Sequence, residues 1–186
     1  MRTHVACLNL HFPGGALSER ARMALARIRA LPSPCLVLLQ EACATSARAI
    51  AAGTRDTHRA FHADSSAPFL LTLVPLALEA SVSLVPLPPS LTRMRRSAHL
   101  VAISGLVLAH VHLESCSASA RAREAQAAWL RSAHGARVLA GDLNGLAGWR
   151  THVLVDDGHA PRVRCERLPR VSPHPMCVYL LSESRS

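Results

Sequence analysis

The sequence contains no lysine, and its 21 cationic side chains are all arginine. Aromatic residues make up only 3% of the chain, which excludes a core of stacked rings and leaves Leu, Val and Ala to fill the interior. Long apolar runs are missing too. The stretch at residues 69–78 is interrupted and falls far short of the ~20 residues a membrane span needs. No apolar segment precedes a cleavage site at the N-terminus, where Met1-Arg2-Thr3-His4 leads straight into Val5-Ala6-Cys7-Leu8. The six cysteines lack a C-x-x-C spacing, and several sit in apolar runs, where a thiol behaves as a small hydrophobe. These absences predict a reduced, intracellular protein, nuclear or cytoplasmic, with no membrane segment.

What is present sets a size and a charge. With 186 residues, 49% of them apolar, the chain suffices for one domain, residues 1–186, with a real hydrophobic core. Its net charge of +9 favours capture of polyanions, and arginine grips phosphate in a bidentate manner. Codon bias accounts for the choice of Arg, but the electrostatics are the same whatever their origin. A monomer that binds nucleic acid is the expectation.

Along the chain, short apolar runs alternate with amphipathic stretches, which predicts a layered α/β domain. Strands are expected at residues 5–10, 35–39, 137–140 and 176–181. Two strand pairs are expected, 69–74 with 80–85, and 100–103 with 106–113, the second turning at Ser104-Gly105. Helices are expected over 19–30, capped by Ser18, over 41–52 and over 117–133, with 53–68 a polar, His-rich loop. A Pro-rich connection covers 86–89, and residues 153–170 show no clear pattern.

Polar side chains punctuate the strand ends. Asn9 closes the first strand, Gln40-Glu41 follows the second, His112 ends a third, and Gly141-Asp142-Leu143-Asn144 follows a fourth. His174 precedes the last. Loops at strand ends are where layered α/β folds gather their sites. Each residue alone also has a plain structural reading: a turn for Asn9 or Asp142, a helix first turn for Glu41, a half-buried strand position for His112.

Taken in order, these blocks resemble the endonuclease/exonuclease/phosphatase superfamily, the DNase I-like fold. The matching segments are Leu8-Asn9-Leu10-His11, Leu39-Gln40-Glu41, His112-Leu113-Glu114-Ser115, Gly141-Asp142-Leu143-Asn144 and Ser172-Pro173-His174. Within it, Thr92-Arg93-Met94-Arg95-Arg96, and His112 to Ser115 with Arg123 and Gln126 downstream, are similar to segments of the 5′-tyrosyl-DNA phosphodiesterase (type 2) family. The resemblance implies a DNase I-like α/β sandwich, shortened in its C-terminal third, that hydrolyses phosphotyrosyl bonds at DNA 5′ ends in repair of topoisomerase adducts. Its cofactor would be Mg²⁺, or Mn²⁺ in its place. Glu41 and Asp142 would hold the metal, with Asp142, His174, Asn144 and Asn9 catalytic. His112, Ser115, Arg93, Arg95, Arg96 and Trp149 would meet substrate or DNA. Two departures stand out: His11 replaces an Asp of the family's first motif, and Pro173 replaces the Asp that orients the final His. They leave open another nuclease or phosphodiesterase of the superfamily, or a catalytically impaired homologue that binds nucleic acid or protein.

Overall fold

The computed structural model describes residues 2–10, 17–62, 69–114, 120–144, 153–155, 163–167 and 177–183. One sheet contains β1 (Arg2–Asn9), β2 (Cys35–Ala42), β3 (His58–His62), β4 (Phe69–Pro75), β10 (Val163–Arg167) and β11 (Cys177–Glu183), in the order β10-β11-β1-β2-β4-β3. The other contains β5 (Ala80–Pro86), β6 (Ser97–Ile103), β7 (Leu106–His112), β8 (Val138–Asp142) and β9 (Val153–Val155), in chain order. Helices α1 (Leu17–Arg29) and α2 (Ala44–Thr54) cover the first sheet, and α3 (Ala120–His134) covers the second. The expected DNase I-like layered sandwich is the observed architecture.

The two-residue period of the strands explains the layering. Val5 and Cys7 of β1, and Leu36 and Leu38 of β2, face the second sheet, where they meet Val101, Leu108 and Val138. Their neighbours Ala6, Leu8, Val37 and Leu39 face Ala21, Ala24 and Ile28 of α1 and Ala47 and Ile50 of α2. Across the molecule Ala109, Val111 and Leu139 face Ala127 and Leu130 of α3. Strands buried on both sides must be apolar throughout, which is why residues 35–39 read as one unbroken run. The pairs β1–β2 and β7–β8 are parallel, so their C-terminal ends lie at one rim.

Several expectations need correction. Strands β4 and β5 do not pair; β4 sits between β2 and β3, while β5 pairs with β6. Residues 76–79 carry the chain from one sheet to the other instead of closing a hairpin. The expected loop contains β3, an edge strand whose polar residues reflect its half-exposed faces. Helix α1 begins at Leu17, one residue before the expected cap position Ser18. Helix α2 begins at Ala44 and not at residue 41, because Gln40, Glu41 and Ala42 remain in β2 and Cys43 is the N-cap. Strands β9 and β10 arise in the stretch that showed no pattern. The β6–β7 hairpin is as expected: Ser104 and Gly105 take φ of 48° and 78°, the paired left-handed conformations of a tight hairpin turn.

Candidate active site

The same two-residue period that builds the core delivers the candidate site. Continuing the inward row Val5, Cys7 along β1 gives Asn9, and continuing Val138, Ala140 along β8 gives Asp142. Leu106 and Leu108 of β7 lead likewise to His110 and His112. At the rim these side chains converge. The Asn9 amide Nδ2 donates to Glu41 Oε1 at 3.0 Å and to Asp142 Oδ2 at 2.9 Å. His112 Nε2 lies 3.9 Å from Glu41 Oε1 and 3.7 Å from Asp142 Oδ2.

Glu41 reaches this cluster against the alternation. Leu36, Leu38 and Gln40 share the inward phase, so residue 41 would ordinarily face the helices. A bulge intervenes: the β2–β4 register slips between Leu39 and Ala42, and Glu41 takes φ of 57°. Bulges re-aim side chains in this way, and a non-glycine residue held at positive φ marks backbone the surroundings must enforce.

Asp142 is placed by a different device. Gly141 takes φ of 130°, and a Cβ there would fall 2.0 Å from the Val111 carbonyl oxygen. Only glycine lets β8 lie this close to β7. Asp142 Oδ1 then accepts from the Asn144 backbone N–H at 3.0 Å, while Asn144 Nδ2 donates to the Leu113 carbonyl at 2.8 Å. Asn144, at φ of 47°, thus ties the turn to the end of β7.

The two segments that carried the narrower resemblance interlock as one unit. Buried Glu114 accepts through Oε2 from Thr92 Oγ1 and from the backbone N–H groups of Arg93 and Met94. Gln126 of α3 accepts from the Glu114 N–H and donates to the Leu91 carbonyl. Arg123 reaches the Glu114 carbonyl at 3.4 Å. This brace presents Arg96, which is only 8% exposed and whose Nη1 donates to His112 Nδ1 at 3.3 Å. Arg96, expected to contact DNA, is packed against His112. Arg93 and Arg95 are exposed and, with Arg96, line a cleft of 730 Å³ beside Pro86, Leu87 and Pro88. Arg96 cannot accept a hydrogen bond, so the His112 proton resides on Nε2, facing the carboxylates. Burial first, and the Arg96 charge second, lower the His112 pKa, opposed by Asp142, Glu41 and Glu114; the ring is neutral at neutral pH.

Two carboxylates are therefore drawn together by one amide and an imidazole. Such a hard-oxygen pair fits a divalent cation. Among the described residues no three His, Cys, Asp or Glu side chains form a metal cage; Mg²⁺ commonly binds through one or two carboxylates and keeps several waters. Of the expected site residues the structure brings together Asn9, Glu41, His112, Asp142 and Asn144; Ser115, Trp149, Pro173 and His174 lie outside the described residues. Sequence alone did not reveal Glu114, Thr92 and Gln126 as a brace, nor His110 of β7 and His99 of β6 behind the rim. An Glu at the second position after a strand-ending His was the available signal for the first; two His on inward strand positions (99 and 110) were the signal for the second.

No protein-family model matches the sequence, and no curated protein is detectably similar to it. The fold is nevertheless shared with solved structures of the endonuclease/exonuclease/phosphatase class. A family protein of that description from Bacteroides thetaiotaomicron superposes with TM-score 0.64 at 10% identity, covering 97% of this chain and 94% of that one. More specifically, the chain is similar to TDP2. It matches D. rerio TDP2 humanized by 14 mutations at TM-score 0.71 and 17% identity, covering 97% of this chain and 99% of that one. D. rerio TDP2 complexed with single-strand DNA product matches at TM-score 0.63 and 18% identity, over 98% and 84% of the two chains. At these identities the likeness establishes the fold. No helix among the described residues is long and apolar enough to cross a membrane.

Proposed function

We propose that this protein is a divalent-metal-dependent phosphodiesterase that hydrolyses the phosphotyrosyl bond at DNA 5′ ends. The observation that carries the reading is the convergence of Asn9, Glu41, His112 and Asp142 at one rim. The likeness to TDP2, one structure of which holds a single-strand DNA product, supports the choice of substrate, as does the net charge of +9.

A phosphodiester is a stable anion, so its hydrolysis requires charge neutralisation and a positioned water. Glu41 and Asp142 would hold the metal, Mg²⁺ or Mn²⁺, which when bound supplies Lewis-acid stabilisation of the phosphoryl oxygens and the leaving phenolate. Asp142, fixed at both oxygens by Asn9 and Asn144, orients the attacking water and accepts its proton. Asn9 keeps the two carboxylates in register, and the His112 Nε2–H donates to a phosphate oxygen, an interaction of the preorganised kind that dominates such reactions. His174 is assigned the opposing donor role. A tyrosine phenolate, with a pKa of about 10, leaves without strong acid help, so the loss of an Asp before His174 is less damaging here than for a sugar alkoxide.

The test is release of tyrosine from a 5′-phosphotyrosyl oligonucleotide with Mg²⁺, and its loss in Asp142→Asn by about 10³-fold or more. Cutting only within intact strands would transfer the reading to an endonuclease. Binding with a steep salt dependence but no cleavage of either substrate would make the chain a non-catalytic nucleic-acid binder.

A further inference from the structure

Behind the rim, the inter-sheet layer holds a chain of polar side chains that the reaction does not use. Gln40 of β2 is fully buried; its Nε2 donates to the Leu38 carbonyl at 3.0 Å and contacts His110 Nε2 at 2.8 Å. His110 Nδ1 lies 2.8 Å from Thr72 Oγ1, which lies 2.8 Å from His99 Nδ1. The chain crosses from β2 to β7, back to β4 and over to β6, joining the two sheets.

Its protonation pattern follows from one fixed donor. An amide NH₂ only donates, so His110 Nε2 accepts and its proton sits on Nδ1. That N–H donates to Thr72, whose hydroxyl hydrogen then goes to His99 Nδ1. Both rings must be neutral for every bond to form. Burial lowers both pKa values, that of His99 to about 4, in agreement with the geometry.

Gln40 is also the residue that precedes the left-handed Glu41. Its carbonyl accepts from the Leu10 N–H at 2.8 Å, while its side-chain Oε1 is buried without a protein donor among the described residues. Among the described residues the side chain is oriented through Nε2, by Leu38 and His110. A strained residue such as Glu41 keeps its conformation only where its neighbours fix it.

We propose that His110, backed by Thr72 and His99, is a positioning residue for Glu41, acting through Gln40 to hold the β2 bulge in the form that turns this carboxylate into the site. The inference rests on the reading of Glu41 as a metal ligand. Groups hydrogen-bonded to a metal ligand commonly control affinity by about 10–100-fold; His110 stands one residue further back, so the lower end of that range is expected.

Mn²⁺ binding, followed by electron paramagnetic resonance on the whole protein, tests this without reliance on turnover. Wild-type protein should bind Mn²⁺, and Glu41→Gln should weaken binding, which locates the ion. His110→Phe should then raise the Mn²⁺ dissociation constant about 10-fold, while His110→Gln, which retains an acceptor for Gln40, stays within about threefold of wild type. Leu108→Ala serves as the control for mere loss of packing and should leave Mn²⁺ affinity unchanged. If His110→Phe does not fold, the near-isosteric Thr72→Val must weaken Mn²⁺ binding severalfold. Equal affinity in wild type and the folded variant, or an equal loss in Leu108→Ala, overturns the inference alone. Absence of any Glu41-dependent Mn²⁺ binding in wild type overturns the functional reading with it.

Discussion

Along β7 the inward side chains run Leu106, Leu108, His110, His112; along β2, Leu36, Leu38, Gln40; along β8, Val138, Ala140, Asp142. One inter-sheet layer thus has an apolar end and a polar end on the same strands. The apolar end needs only volume and shape, since hydrophobic burial is non-directional. The polar end satisfies demands of direction, because a buried group without a partner costs about 1–3 kcal/mol. Almost every polar atom described there has a defined partner, and two backbone irregularities, at Glu41 and Gly141, adjust what the pleat alone would not deliver. Stability and site geometry thus come from separate stretches of shared strands, which makes them separable by mutation.

The largest effect should come from the polar end's backbone. Gly141→Ala places a Cβ against the Val111 carbonyl at 2.0 Å and at φ of 130°, so clash and strain together should cost about 4 kcal/mol. Urea unfolding measures the loss, and whatever folds should show impaired activity because Asp142 has moved. At the apolar end, fully buried Leu108 changed to Ala should cost about 3 kcal/mol, yet the folded protein should turn over normally. Equal damage to activity from both changes would show that the two ends are not independent.

Acid should act on the polar end first. The His99 pKa is lowered to about 4 by burial, and next by the His62 charge, and His110 is lowered by burial and then by His99 and His112. For a histidine with a depressed folded-state pKa, the unfolded chain binds the proton first. Stability is therefore complete above the unfolded value near 6.5 and is lost as pH falls towards the folded value. His99 alone should remove about 2 kcal/mol between pH 7 and pH 5. His99→Leu should show a correspondingly shallower loss in urea titrations at the two pH values, and an unchanged slope would mean that His99 is not buried as a neutral ring.

The two ends also differ in how far they could be read from the sequence. Apolar alternation and the Ser104-Gly105 turn located most strands, and the polar residues closing them located Asn9, His112 and Asp142. Local pattern failed where the determinant was non-local. Glu41 follows good strand residues and precedes good helix formers, and only the β4 register shows that it belongs to a bulge. The change of sheet between β4 and β5 has no local signature, since either pairing buries the same apolar faces. Glu114 and Gln126 stood out only as parts of matching segments, and nothing local showed that they join; their buried brace depends on three segments meeting in space.

The arginines offer the smallest and sharpest test, because neighbours in sequence differ in burial and in partner. Arg93 and Arg95 are exposed at the cleft, whereas Arg96 is buried against His112. Under the proposed function these two arginines meet DNA phosphates and contribute through counterion release, so each change to Gln should lower the slope of log affinity against log salt by about 0.7–0.9. Oligonucleotide binding should weaken severalfold at low salt with little change in kcat. Arg96→Gln should do the reverse: the salt slope stays near that of wild type, and kcat falls because His112 has lost the donor that fixes its tautomer. If Arg96→Gln reduces the salt slope as much as Arg93→Gln does, its guanidinium meets DNA directly and the brace has been assigned the wrong purpose.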